Sequence, residues 1–115
     1  MAQTTVSNIY AVGPSYYLSA STASTSANVV STGASITQIY VENLDTTNDV
    51  FVNWSLTGAV TAVAPTVGNP QTGVCIQNGQ GRVIQLSALN QYNAFANVAV
   101  VTFGSTANVV ITPVA

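Results

Sequence analysis

Residues 36–56 read ITQIYVENLDTTNDVFVNWSL, two alternating apolar runs on either side of a polar stretch. In the second run Val50, Val52, Trp54 and Leu56 take every other position, with Phe51, Asn53 and Ser55 between them. That is the period of a β-strand that buries one face. In the first run Thr37, Ile39 and Val41 fall on one side and Ile36, Gln38 and Tyr40 on the other, a β-branched and aromatic mixture suited to a pleated, half-buried surface. The linking residues 43–49, NLDTTND, carry short polar side chains that bond nearby backbone and tolerate turns. The reading is a hairpin with a solvent-exposed turn and with the Trp54 face at the centre of the core.

Outward from this stretch, the same signals recur. Residues 16–20 and 27–31 read as short strands, and Gly13-Pro14 breaks the chain before Tyr16. Residues 59–63 give a brief strand or extended run, and 65–73, PTVGNPQTG, is a loop because its prolines and glycines cannot hold a ladder. Val74-Cys75-Ile76 and residues 82–86 flank Asn78-Gly79, a hairpin signal. Residues 87–95 read as a loop or a single helical turn. Two last strands, 97–103 and 107–112, follow, with Pro113 ending the second. The expected fold is all-β, a single-domain antiparallel β-sandwich or jelly roll of about seven to nine short strands. Residues 13–115 form that body, and residues 1–12 are either an N-terminal arm lying on another subunit or the first strand of the same sandwich.

Composition narrows function by exclusion. Only 3% of the 115 residues are charged, against about 25% in an average soluble domain. Water-facing positions are therefore filled by Ser, Thr, Asn and Gln, and a net charge of −2 does little to keep copies apart. One arginine and no lysine exclude nucleic-acid binding by phosphate neutralisation. The apolar runs are strand-sized, well short of the ~20 residues of a membrane-spanning helix, and residues 1–7 lack the basic and apolar regions of a secretory signal. No cofactor, nucleic acid or membrane enters the expectation.

Histidine, the commonest acid–base group, is absent. The carboxylates Glu42, Asp45 and Asp49 crowd one wet turn, unsuited to raising a pKa by desolvation, so the chain reads as a non-enzyme. The same three groups are a weak Ca²⁺ candidate without the spacing of an EF-hand loop, and one cysteine with no histidine cannot complete a zinc site. Cys75, in an apolar triplet, reads as a small buried core residue. Residues 77–82, QNGQGR, lack the glycine spacing and the Lys-Ser/Thr of a phosphate loop. Arg82, the lone cation, pairs with Asp45 or Asp49 of its own chain or with a neighbour's carboxylate. Tyr10, Tyr16, Tyr17 and Tyr92 suit core and interface burial better than a stacking platform. Ile9, Tyr10, Tyr16, Tyr17 and Arg82 are the interface candidates.

The succession Ile39-Tyr40-Val41-Glu42-Asn43, then Val50-Phe51-Val52-Asn53-Trp54, then the turn through Gly79 and Gly81, then Ser105-Thr106-Ala107-Asn108-Val109-Val110-Ile111-Thr112-Pro113 resembles small β-sandwich structural proteins of tailed bacteriophages. The resemblance covers about residues 27–115, and residues 2–26 depart from the pattern. It implies a virion protein made in the host cytoplasm, with a capsid decoration or cement role in front. Its partners would be the major capsid protein or other virion proteins, and its unit a homo-oligomer, dimer or trimer. The alternative is a tail, neck or fibre-type protein that binds a host glycan or protein through its loops. An ice-binding module would need regularly spaced threonines, and those here are irregular.

Overall fold

The computed structural model describes residues 11–33, 35–86 and 93–114. They form eight strands: β1 (Tyr16–Ala20), β2 (Thr25–Val30), β3 (Gln38–Asn43), β4 (Val50–Ser55), β5 (Val74–Ile76), β6 (Gly81–Gln85), β7 (Phe95–Thr102) and β8 (Ala107–Val114). Among the described residues there is no helix, so none long and apolar enough to cross a membrane. The expected segments 16–20 and 74–76 match β1 and β5 residue for residue, while 59–63 joins no ladder. Of the ambiguous stretch 87–95, residues 87–92 lie outside the described residues.

The strands make two four-stranded sheets, β1-β8-β3-β6 and β2-β7-β4-β5. Every pairing is antiparallel, and four of them are nested: β1 with β8, β2 with β7, β3 with β6, β4 with β5. The β3–β8 and β4–β7 pairings complete the sheets. One long hairpin, folded at β4–β5 and rolled so that its arms alternate between sheets, is the topology of a jelly roll. The expected choice between sandwich and jelly roll thus falls to the second.

The two apparent hairpins are corrected by this topology. β3 and β4 lie in opposite sheets, as do β5 and β6, so the turns at 44–49 and 77–80 carry the chain across the sandwich instead of pairing its flanks. Pro113 does not end β8 either. Its carbonyl accepts from the Val12 amide at 2.9 Å on the β1 side, where β1 has already begun at Tyr16 opposite Ile111. The N–H that proline lacks would point to that same side, beyond the end of the partner strand, so no ladder bond is lost.

Alternation places the core. Ile39 and Val41 of β3, Val109 and Ile111 of β8, Val98 and Val100 of β7 and Val50 and Val52 of β4 are fully buried between the sheets. Trp54, expected at the centre, packs half-buried at its margin. A second, smaller core lies outside the β2-β7-β4-β5 sheet, where Phe51, Ala99 and Val101 meet Ala62 of the β4–β5 connection. Hydrogen bonds hold that connection down: Asn97 donates to the Gly58 carbonyl at 2.7 Å, Asn53 to the Thr61 carbonyl at 3.1 Å, and the Ala62 amide to the Ser24 hydroxyl at 3.0 Å. The outer face of this sheet is therefore partly roofed by the protein's own chain.

Candidate interaction surfaces

Among the described residues the opposite sheet has no such roof. Side chains that alternate with its core residues point outward: Tyr17 and Ser19 on β1, Asn108, Val110 and Thr112 on β8, Gln38, Tyr40 and Glu42 on β3, Gly81 and Val83 on β6. In register, Tyr17, Val110, Glu42 and Gly81 form one row across the sheet, and Thr112, Tyr40 and Val83 the next. Tyr17 is 63% exposed and Val83 43%. Glu42 is the sole ionic group of this face. Short polar ties, Ser15 to Thr112 at 2.6 Å and Gln38 to Gln85 at 2.8 Å, join neighbouring segments at its rim.

The Tyr40 ring leans over Gly81, where a side chain would collide with it. Burial, and behind it the charge of Glu42, raises the Tyr40 phenol above its ordinary range. The phenol is neutral at physiological pH, and the surface offers a partner apolar area, hydroxyls and amides.

Two expected interface residues separate here. Tyr17 looks out, but Tyr16 turns inward and packs half-buried against the core. Ile9 and Tyr10 lie outside the described residues, as does Tyr92. Tyr40, Val83 and Val110 were not among the expected contacts, although strand alternation from Ile39, Ile84 and Ile111 would have pointed them outward.

The acidic turn spends its carboxylates on itself. Asp45 accepts from the backbone amides of Thr47 at 3.0 Å and Asn48 at 2.6 Å and from the Thr47 hydroxyl at 3.1 Å. Those backbone bonds hold its pKa below the ordinary 3.8. Asp49 reaches the other way and accepts from the Asn78 backbone and side chain at 2.9 and 3.1 Å. Glu42 sits on the sheet face. Among the described residues no three of His, Cys, Asp and Glu come together in a way that could hold a metal ion. Behind the turn, the buried Asn43 donates to the carbonyls of Asn48 at 2.9 Å and Ile76 at 3.3 Å, joining β3 in one sheet to β5 in the other.

Arg82 and Cys75 come together where β5 and β6, the last strands of their sheets, diverge. They line a cavity of about 260 Å³ with Ile76, Gln77 and Gln80. Arg82 stands opposite Val41, hence on the core side of its sheet, but at the open edge. With Asp45 and Asp49 engaged elsewhere, the own-chain pairings expected for Arg82 are not formed.

Cys75 is exposed, against the expectation of burial, because it stands opposite Phe51 on the outer side of a three-residue edge strand. Desolvation and the charge of Asp49 nonetheless raise its thiol pKa, and Arg82 opposes them only in part. A thiol so placed is a poor nucleophile at neutral pH.

No known family model matches the chain, and no curated protein matches it significantly.

Proposed function

We propose that this chain is a non-enzymatic structural protein of a tailed-bacteriophage virion, a capsid decoration or cement protein that works through contacts with other copies and with the shell. The observation that carries this reading is the asymmetry of the sandwich. One sheet is partly roofed by its own β4–β5 connection, whereas the other, among the described residues, presents an open face with Tyr17, Tyr40, Val83 and Val110 and one ionic group. Such a face has little charge to desolvate on contact and little to repel a second copy. The resemblance of residues 27–115 to small phage structural proteins supports the same reading.

Attachment to particles tests it. Protein added to virions stripped of it should rebind, and Tyr17→Lys with Val83→Lys should abolish rebinding while leaving the circular dichroism spectrum unchanged. Rebinding by the double variant at wild-type affinity would remove the open face from the account. The tail, neck or fibre-type reading has its own observation, the exposed Val63 and Val67 on the β4–β5 connection. It predicts few copies per particle and sensitivity to substitutions at those two valines instead.

A further inference from the structure

Among the described residues the edge of β6 at Gly81 and Val83 is an unfilled strand position. The Leu86 amide donates to the Thr37 carbonyl and the Asn43 amide to the Gln80 carbonyl, so even-numbered residues of this strand turn their backbone groups to β3. The register from Gln38↔Gln85 to Glu42↔Gly81 is unbroken. The N–H and C=O groups of Gly81 and Val83 therefore point away from the sheet, and among the described residues nothing pairs with them. At the opposite side of the sandwich β1 lies against β2, but β5 and β6 diverge around the cavity beside Arg82. Edge strands are ordinarily blunted by lysine, proline, a bulge or an inward-pointing charge; β6 has no lysine or proline and an unbroken register, and its one charge, Arg82, guards the edge against any partner that brings no carboxylate to it.

We infer that this edge binds an extended, acidic segment of a partner protein, which adds a fifth strand beside β6 and places a carboxylate in the cavity against Arg82. Backbone pairing to Gly81 and Val83 supplies the strand, as in β-augmentation. Gln77, Gln80 and the guanidinium of Arg82 supply donors for the acid. The charge argues for a different chain over a second copy. Of this protein's three carboxylates, Asp45 and Asp49 are held by their own backbone contacts, and Glu42 projects from the opposite face of the sheet. Two β6 strands paired about a two-fold axis would bring neither copy's Glu42 to the other's Arg82. The inference holds whether or not the body sits on a virion.

The probe is a blocked nine-residue peptide of alternating threonine and valine with one central Asp, titrated into ¹⁵N-labelled full chain. An Asn peptide and an Asp peptide N-methylated on alternate residues are the comparisons. The expected result is that the Asp peptide shifts the amides of Gly81 and Val83 and the Arg82 Nε–H. It should bind about three- to fivefold more tightly than the Asn peptide at low salt, and the methylated peptide should not bind. Arg82→Gln should erase the preference for Asp and keep the amide shifts. Val83→Pro, which removes an outward N–H without touching the β3 ladder, should abolish binding. Absence of shifts at millimolar peptide, shifts mapped elsewhere, or equal binding of the Asp and Asn peptides would overturn the inference. So would a dimer on gel filtration that Val83→Pro disperses, because the occupant would then be a second copy.

Discussion

Gly73 lies against Phe51 so closely that a Cβ at residue 73 would stand 2.6 Å from the ring and 2.4 Å from the Val52 carbonyl oxygen. Its φ of 145° is also one that side chains rarely adopt. The chain arrives at β5 here, just as Phe51 closes the outer core. Gly73→Ala should destabilise the fold by about 2–4 kcal/mol, through strain and a displaced aromatic ring. Gly79, with φ of 72° and open space around it, should cost only about 1 kcal/mol on the same change. Urea unfolding of the two variants beside the parent checks the order.

The roof over the β2-β7-β4-β5 sheet should loosen without the body unfolding. Asn53→Ala with Asn97→Ala removes the bonds to the Thr61 and Gly58 carbonyls, the 2.8 Å bond from Asn28 to Asn97 and the 2.9 Å bond that Asn53 accepts from the Trp54 amide. The first three are solvent-exposed and the last part-buried, so the loss should be about 2–4 kcal/mol in all. Limited proteolysis should then cut within residues 56–64 well before the strands are attacked.

Tyr40 should titrate above its ordinary 10.0. Because the folded pKa is the higher one, the associated stability is complete below the unfolded value and is lost as pH rises through the folded one. Glu42→Gln should lower the phenol pKa only part of the way back, since burial is the larger cause. Ultraviolet absorbance of the phenolate reads both effects.

Asp45 behaves in the opposite sense. Its folded pKa is depressed, so its contribution is present above the ordinary carboxylate value and disappears as pH falls below it. Carboxyl chemical shifts should show Asp45 titrating below its ordinary 3.8, and Thr47→Pro, which deletes one of its amide donors, should move it up.

Cys75 should be accessible and slow. Iodoacetamide should modify the folded protein at a rate that climbs with pH beyond the range of an ordinary thiol, and Arg82→Gln should slow it further by removing the favourable charge.

The strands were legible because alternation survives in nearly every one, from Ile39 and Val41 to Val109 and Ile111. Their partners were not. Turn residues such as Asn78-Gly79 announce a reversal of direction, and a reversal serves equally to pair two strands or to cross from sheet to sheet. Burial on both faces of β4 at Phe51 was hidden as well, since its cover comes from Ala62 across a loop. The exposure of Cys75 was within reach, as period two turns the middle of Val74-Cys75-Ile76 away from its neighbours. Nothing in the spacing of Arg82 said which carboxylates would already be occupied; that depended on how the acidic turn folds back on itself.

The nested pairing has a kinetic cost. Tyr16 meets Ile111 and Thr25 meets Val100 only after about 75 to 95 intervening residues have been made, and the innermost pair, β4 with β5, is itself split by a long connection. With so few contacts between sequence neighbours, refolding belongs at the slow end, milliseconds to seconds. On the ribosome the β2-β7-β4-β5 sheet must wait for β7 and the β1-β8-β3-β6 sheet for β8, so a nascent chain stalled before residue 107 leaves β1 and β3 without the strand that joins them and exposes sticky edges to every other copy being synthesised nearby.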